Sequence, residues 1–167
     1  SMVIFYLLLS IALVLCGLGD IAMEYNILPG LGFFLFAHIF FVSNFLQQSL
    51  QVGIQIVSSF VFTICLIGLF VYIYLYHRYL KTSENGMDQK MLRAVDVYAL
   101  AISLTLSTSV LLWLSTNALL GFLPVIGAIF FVVSDSLIGI REFHHEFRFQ
   151  EPIILLTYYL SIFLLSL

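Results

Sequence analysis

Apolar residues neither alternate along this chain nor recur at the spacing of a surface helix. They come in six long runs, at about residues 2–23, 28–47, 53–77, 94–115, 119–140 and 152–167, separated by short polar breaks. Crossing the hydrocarbon core of a bilayer takes about 20 predominantly apolar residues in a helix. The pattern therefore predicts an all-α, polytopic transmembrane helical bundle of about six helices, with residues 1–167 forming a single domain. The last run is short for a full span. Pro29 and Pro124 fall early in their runs, where a missing backbone N–H costs little.

Composition carries the same message. The chain is 62% hydrophobic and 9% charged, with a mean hydropathy of +1.13, far beyond what the core of a 167-residue water-soluble domain needs. Six basic residues, concentrated in two connections, are too sparse for a nucleic-acid surface, so no nucleic-acid partner is expected. Cys16 and Cys65 lie within apolar runs in no metal or redox spacing and read as small packing residues. The first run lacks a basic leader and a small-residue cleavage site, and reads as a retained helix.

Charge orients the bundle. Arg78, Lys81, Lys90 and Arg93 lie in or beside the third connection, and Arg141 and Arg148 in the fifth; the second and fourth have no basic residue. The positive-inside rule then places the basic loops, residues 78–93 and 141–148, in the cytoplasm of a multi-pass integral membrane protein. Residues 81–90, rich in Ser, Glu, Asn and Gly, are the only polar stretch of any length and read as a loop.

With that topology, a rise of 1.5 Å per residue converts position into depth. Asp20 falls near the cytoplasmic end of the first helix, and Asp135 roughly 9 Å inside the same end of the fifth. Tyr98 lies about one turn into the fourth helix, Tyr158 and Tyr159 roughly 9 to 12 Å into the sixth, and His38 deeper, at about 15 Å. Glu24 follows Asp20 by four residues and shares its helix face.

A carboxylate at such depth costs roughly 2.5 to 3.5 kcal/mol on insertion scales and is retained for function or neutralised by a structural partner. Two readings follow. In one, Asp20 and Asp135 form an acid/base pair, one acting as a carboxylic acid and the other as a carboxylate that activates water, with His38 flooring the cavity. In the other, each is neutralised by a tyrosine hydroxyl or a helix end and fixes packing, and His38 is satisfied by an interhelical hydrogen bond.

Other groups carry less. His144 and His145, with Glu142 and Glu146, read as a solvated connection, and Tyr72, Tyr74, Tyr76 and Tyr79 as interfacial anchors. Phe33, Phe34, Phe36, Phe40 and Phe41 read as lipid-facing or packing residues. Ser134 and Ser136 flank Asp135 without a histidine at their depth to act as base. A metal site would need Asp20, His38 and Asp135 to converge, and their spacing is not a ligand pattern; no metal or cofactor is expected.

Four blocks in order, Gly17-Leu18-Gly19-Asp20, Gly30-Leu31-Gly32-Phe33-Phe34 with Ala37-His38, Gly127-Ala128 through Ser134-Asp135, and Thr157-Tyr158-Tyr159, resemble the YhhN-like lysoplasmalogenase family of membrane proteins. The resemblance implies hydrolysis of the vinyl ether bond of lysoplasmalogens, giving a fatty aldehyde and glycerophosphocholine or glycerophosphoethanolamine. It implies catalytic roles for Asp20 and Asp135, and substrate-binding roles for His38, Ser134, Tyr158 and Tyr159, to which depth adds Tyr98. The partners it implies are a lysophospholipid substrate and the surrounding membrane lipids. Two positions depart from the family pattern: Cys16 replaces a typical serine and Ile162 a common glutamine. The alternative of a different class is a lipid-binding or proton-coupled transport protein with Asp135 as the proton carrier.

Overall fold

The computed structural model describes residues 2–82, 88–145 and 148–167. Six helices follow one another: α1 (Met2–Tyr25), α2 (Ile27–Val52), α3 (Ile56–Lys81), α4 (Gln89–Thr116), α5 (Leu123–Phe143) and α6 (Gln150–Leu165). The first five are long and apolar enough to cross a membrane. The sixth has 16 residues, about 24 Å of helix, less than a full span. The protein is an all-helical, multi-pass integral membrane protein.

Local chemistry sets the boundaries. Asn26 alone separates α1 from α2, and its side-chain oxygen accepts the Leu28 N–H at 3.0 Å, an N-cap that turns the chain back at once. Asn117 closes α4 in the left-handed conformation, φ 50°, which Asn tolerates better than most residues. The chain then runs in turns to Leu123, so α5 begins later than the apolar run does, with Pro124 in its first turn. Hydropathy cannot see this boundary, because Leu119 and Leu120 are as apolar as the helix that follows.

The basic residues of the third connection also differ from expectation. Arg78 and Lys81 are on the last turns of α3, and Lys90 and Arg93 on the first turns of α4, so that connection is shorter than residues 78–93. A helix satisfies its own backbone and continues past the apolar boundary, and cations suit the C-terminal end of α3. Residues 83–87, and Glu146 in the second basic connection, lie outside the described residues.

α4 is the central helix, packed against α2, α3 and α5, while α1 pairs with α2 and α5 with α6. Its buried face is rich in small hydroxyl residues, most of which bond back to the preceding turn. Thr105 donates to Ala101 O at 3.1 Å, Ser107 to Ser103 O at 2.9 Å and Thr108 to Leu104 O at 2.8 Å. Short side chains with satisfied hydroxyls let neighbouring helices approach closely inside a membrane. α3 buries only Ser58 and Leu80 and gives most of its surface to lipid.

Three contacts gather the helix ends. His77 Nδ1 donates to the Asp96 carboxylate at 2.9 Å, joining α3 to α4. His144 stacks on Tyr79 at 4.1 Å and donates from Nε2 to the Tyr79 carbonyl at 2.8 Å, joining α5 to α3; it is half-buried, while Glu142 and His145 are exposed. Arg141 reaches Glu151 at 2.8 Å, joining α5 to α6. The α1–α2, α3–α4 and α5–α6 connections thus share one end of the bundle. α1 and α6, in contrast, do not pack along their lengths, and the space between the α1–α2 and α5–α6 pairs opens as a cleft.

Candidate active site

Asp20 lies on the last part of α1, one turn after the buried Cys16. Gly19 beside it has no side chain, and the Phe34 ring of α2 occupies that space: an added Cβ would come within 2.9 Å of the ring. Phe34 in turn packs edge-on against Tyr158 at 5.8 Å and Phe131 at 6.3 Å, and 6.5 Å from Tyr98. This aromatic cluster joins α2, α4, α5 and α6 directly beneath the carboxylates.

Asp135, from the middle of α5, accepts a short hydrogen bond at Oδ2 from the Tyr98 hydroxyl of α4. Tyr98 is buried. The bond leaves Oδ1 free and fixes the plane of the carboxyl group. Asp20 and Asp135 line one cleft of about 210 Å³, with Phe34, Ile154, Leu155 and Tyr158 completing its walls. Glu24, Arg141, Glu151 and Tyr159 stand at its mouth. Arg141 is paired there with Glu142 and Glu151, each at 2.8 Å.

Tyr158 is only 5% exposed, and its hydroxyl lies beside the Asp20 carboxylate, near enough to interact with it though outside close hydrogen-bond geometry. Buried hydroxyls normally find a partner, and the nearest acceptor for this one is the Asp20 carboxylate at the cleft wall. Tyr159 is 59% exposed and forms the rim, tilted against the Tyr158 ring at 5.3 Å.

Two expected site residues lie elsewhere. Ser134 is buried and donates to the Ile154 carbonyl at 3.2 Å, tying α5 to α6 away from the cleft. His38 is fully buried under the cleft, behind the rings of Phe131, at 4.5 Å, and Tyr98, at 5.8 Å. Its Nδ1 is 2.9 Å from Thr105 Oγ1. Thr105 gives its own proton to Ala101 O, so Nδ1 carries the proton and donates, while Nε2 is left without a partner. His38 thus supports the layer that carries Tyr98 and does not line the cleft. Asp20, His38 and Asp135 do not converge as a ligand set, and among the described residues no three His, Cys, Asp or Glu side chains do.

On its other side Asp135 lines a second, narrow apolar cleft bounded by α2, α3, α4 and α5. Tyr72, Tyr76 and Ser136 belong to its wall, although the sequence suggested interfacial anchors for the tyrosines. Their four-residue spacing puts both on one helix face, but nothing local shows that this face is turned to α5.

These features define a polytopic α-helical membrane protein in which two carboxylates from different helices face one intramembrane cleft. The chain belongs to the YhhN family, whose model matches residues 3–167. No curated protein and no solved structure matches it.

Proposed function

We propose that the protein is a membrane hydrolase that cleaves the vinyl ether bond of lysoplasmalogens, releasing a fatty aldehyde and a glycerophospho-alcohol. The observation that carries this reading is the pair Asp20 and Asp135 on one cleft, with Asp135 oriented by Tyr98. Family membership agrees with it.

The chemistry asks for an acid, a carboxylate and a water. Asp135, with Tyr98 donating to Oδ2, carries its proton on Oδ1 and delivers it to the β-carbon of the vinyl ether. The α-carbon and the ether oxygen then share the positive charge of an oxocarbenium ion, which the Asp20 carboxylate stabilises. Asp20 takes a proton from water as the water oxygen bonds to the α-carbon, giving a hemiacetal. As the hemiacetal collapses, Asp20 returns its proton to the glycerol oxygen, whose bond to the α-carbon breaks, and the hemiacetal O–H gives its proton to Asp135, which frees the aldehyde and restores both carboxyl groups. Tyr158 supplies a hydrogen bond to the water or to the hemiacetal hydroxyl. At the mouth a lipid phosphate can take the place of Glu151, itself exposed, on Arg141, and the basic loops face the cytoplasm.

The test is aldehyde release by the purified protein from a vinyl ether lysophospholipid, compared with Asp20→Asn and Asp135→Asn. Both variants are expected to lose about 100-fold or more, the range general acid–base groups supply. Full activity in folded preparations of both would remove the carboxylates from the mechanism. Lipid binding without cleavage would favour a carrier.

A further inference from the structure

The two clefts meet at Asp135: Met23, Phe34, Asp135 and Ile138 belong to both. One is ionic and opens between α1 and α6. The other is walled by Leu31, Val95, Ala99, Ile102 and Val132 and runs toward α3. Its lining is largely apolar, and it is narrow, a slot between helices rather than a wide cavity. A molecule whose reacting bond lies at Asp135 and whose polar end stays in the ionic cleft has this chamber as the continuation of its apolar end.

The far side of the chamber is closed by an unusual joint. α3 and α5 approach each other over only a short stretch, and there the contact is made by two tyrosines. Tyr72 donates to Ser136 Oγ at 2.6 Å, and Ser136 donates onward to Val132 O at 2.5 Å. Tyr76 stacks parallel to Tyr72 at 5.8 Å and reaches Ser136 O at 3.4 Å. Its hydroxyl occupies the space over Gly139, where any Cβ would overlap it. Beyond this pair lies the lipid-facing surface of α3.

We propose that the chamber holds the hydrocarbon chain of a single-chain lipid, and that Tyr72 and Tyr76, fixed on Ser136 and Gly139, form the end wall that sets the chain length accepted. The inference rests on the reading of the carboxylate cleft as the place where such a lipid reacts. Tyr72 and Tyr76 are specificity determinants and take no part in the bond cleavage.

The experiment measures binding of non-cleavable alkyl-ether lysophosphocholines of increasing chain length, below their micelle concentrations, to the full chain in detergent. Aldehyde release from the vinyl ether homologues is followed in parallel. Wild-type affinity is expected to rise with each methylene and then level off. Tyr76→Ala shifts the break to longer chains, with about a tenfold gain for two newly enclosed methylenes. Tyr76→Phe keeps the ring and the wild-type break. Ala99→Phe fills the chamber and moves the break to shorter chains, and it decides the matter alone if Tyr76→Ala does not fold. A wild-type profile without a break, or an unmoved break in Tyr76→Ala or, where that variant does not fold, in Ala99→Phe, overturns the proposal. Shifted breaks without aldehyde release from any chain would instead overturn the hydrolase reading and leave the chain site standing.

Discussion

Replacing Tyr98 by Phe removes one oxygen and leaves the packing of the ring, which lies 6.5 Å from Phe34 and 5.8 Å from His38. What disappears is the donor to Asp135 Oδ2. As Asp135 transfers its proton, negative charge grows on its carboxyl group, and a hydrogen bond to that group is worth more in the transition state than in the resting acid. Hydrogen bonds to charged groups contribute about 1.5 to 3 kcal/mol, which corresponds to a roughly 10- to 150-fold loss in kcat. KM should change little, because the bond does not touch bound lipid. The assay is continuous aldehyde release at saturating vinyl ether lysolipid, with thermal unfolding in detergent to show that the fold is intact. Tyr98→Phe combined with Asp135→Asn should be no slower than Asp135→Asn alone, since the two act as one unit. A folded Tyr98→Phe variant with wild-type kcat would refute the assignment of Asp135 as an acid oriented by Tyr98.

Three further outcomes follow from the packing. Ser134→Ala removes the α5–α6 tie to Ile154 O and should cost about 0.6 kcal/mol, the usual worth of an interhelical side-chain hydrogen bond in a membrane, with kcat and KM unchanged; a raised KM would return Ser134 to the substrate site. Thr105→Val leaves His38 Nδ1 without its acceptor and should cost up to about 1.7 kcal/mol, read as a lowered Tm in detergent. Arg141→Gln should raise KM for lysophospholipid about tenfold with kcat kept, as expected for a lost charge-assisted phosphate contact of about 1.5 kcal/mol; an unchanged KM would place the phosphate elsewhere.

The bundle was legible because bilayer-spanning runs are set by length and hydropathy alone, and both survive in a single sequence. The ends of the runs were less so: the apolar pattern does not show that Asn26 and Asn117 cap helices, and Leu119 and Leu120 look helical and lie in turns. Depth along each helix brought Asp20, Asp135, Tyr98, Tyr158 and Tyr159 to one level, and the structure brings those five to the same cleft or its immediate wall. Depth does not give the direction in which a side chain leaves its helix. That is why depth alone puts His38 and Ser134 in the site although they pack behind it, and why the sequence reads Tyr72 and Tyr76 as interfacial anchors. Their place on the chamber wall depends on how α3 is turned toward α5, a tertiary choice that the apolar pattern of α3, hydrophobic on every face, does not encode.

The central claim, that Asp135 protonates a vinyl ether carbon whose cation is then captured by water, is tested most directly by turnover in heavy water. The aldehyde released from a vinyl ether lysophospholipid, trapped by reduction as it forms, should carry a single deuterium on the carbon next to the former carbonyl, and Asp135→Asn should abolish its formation. No aldehyde from the folded wild-type protein, or labelled aldehyde formed at the wild-type rate by Asp135→Asn, would contradict the account.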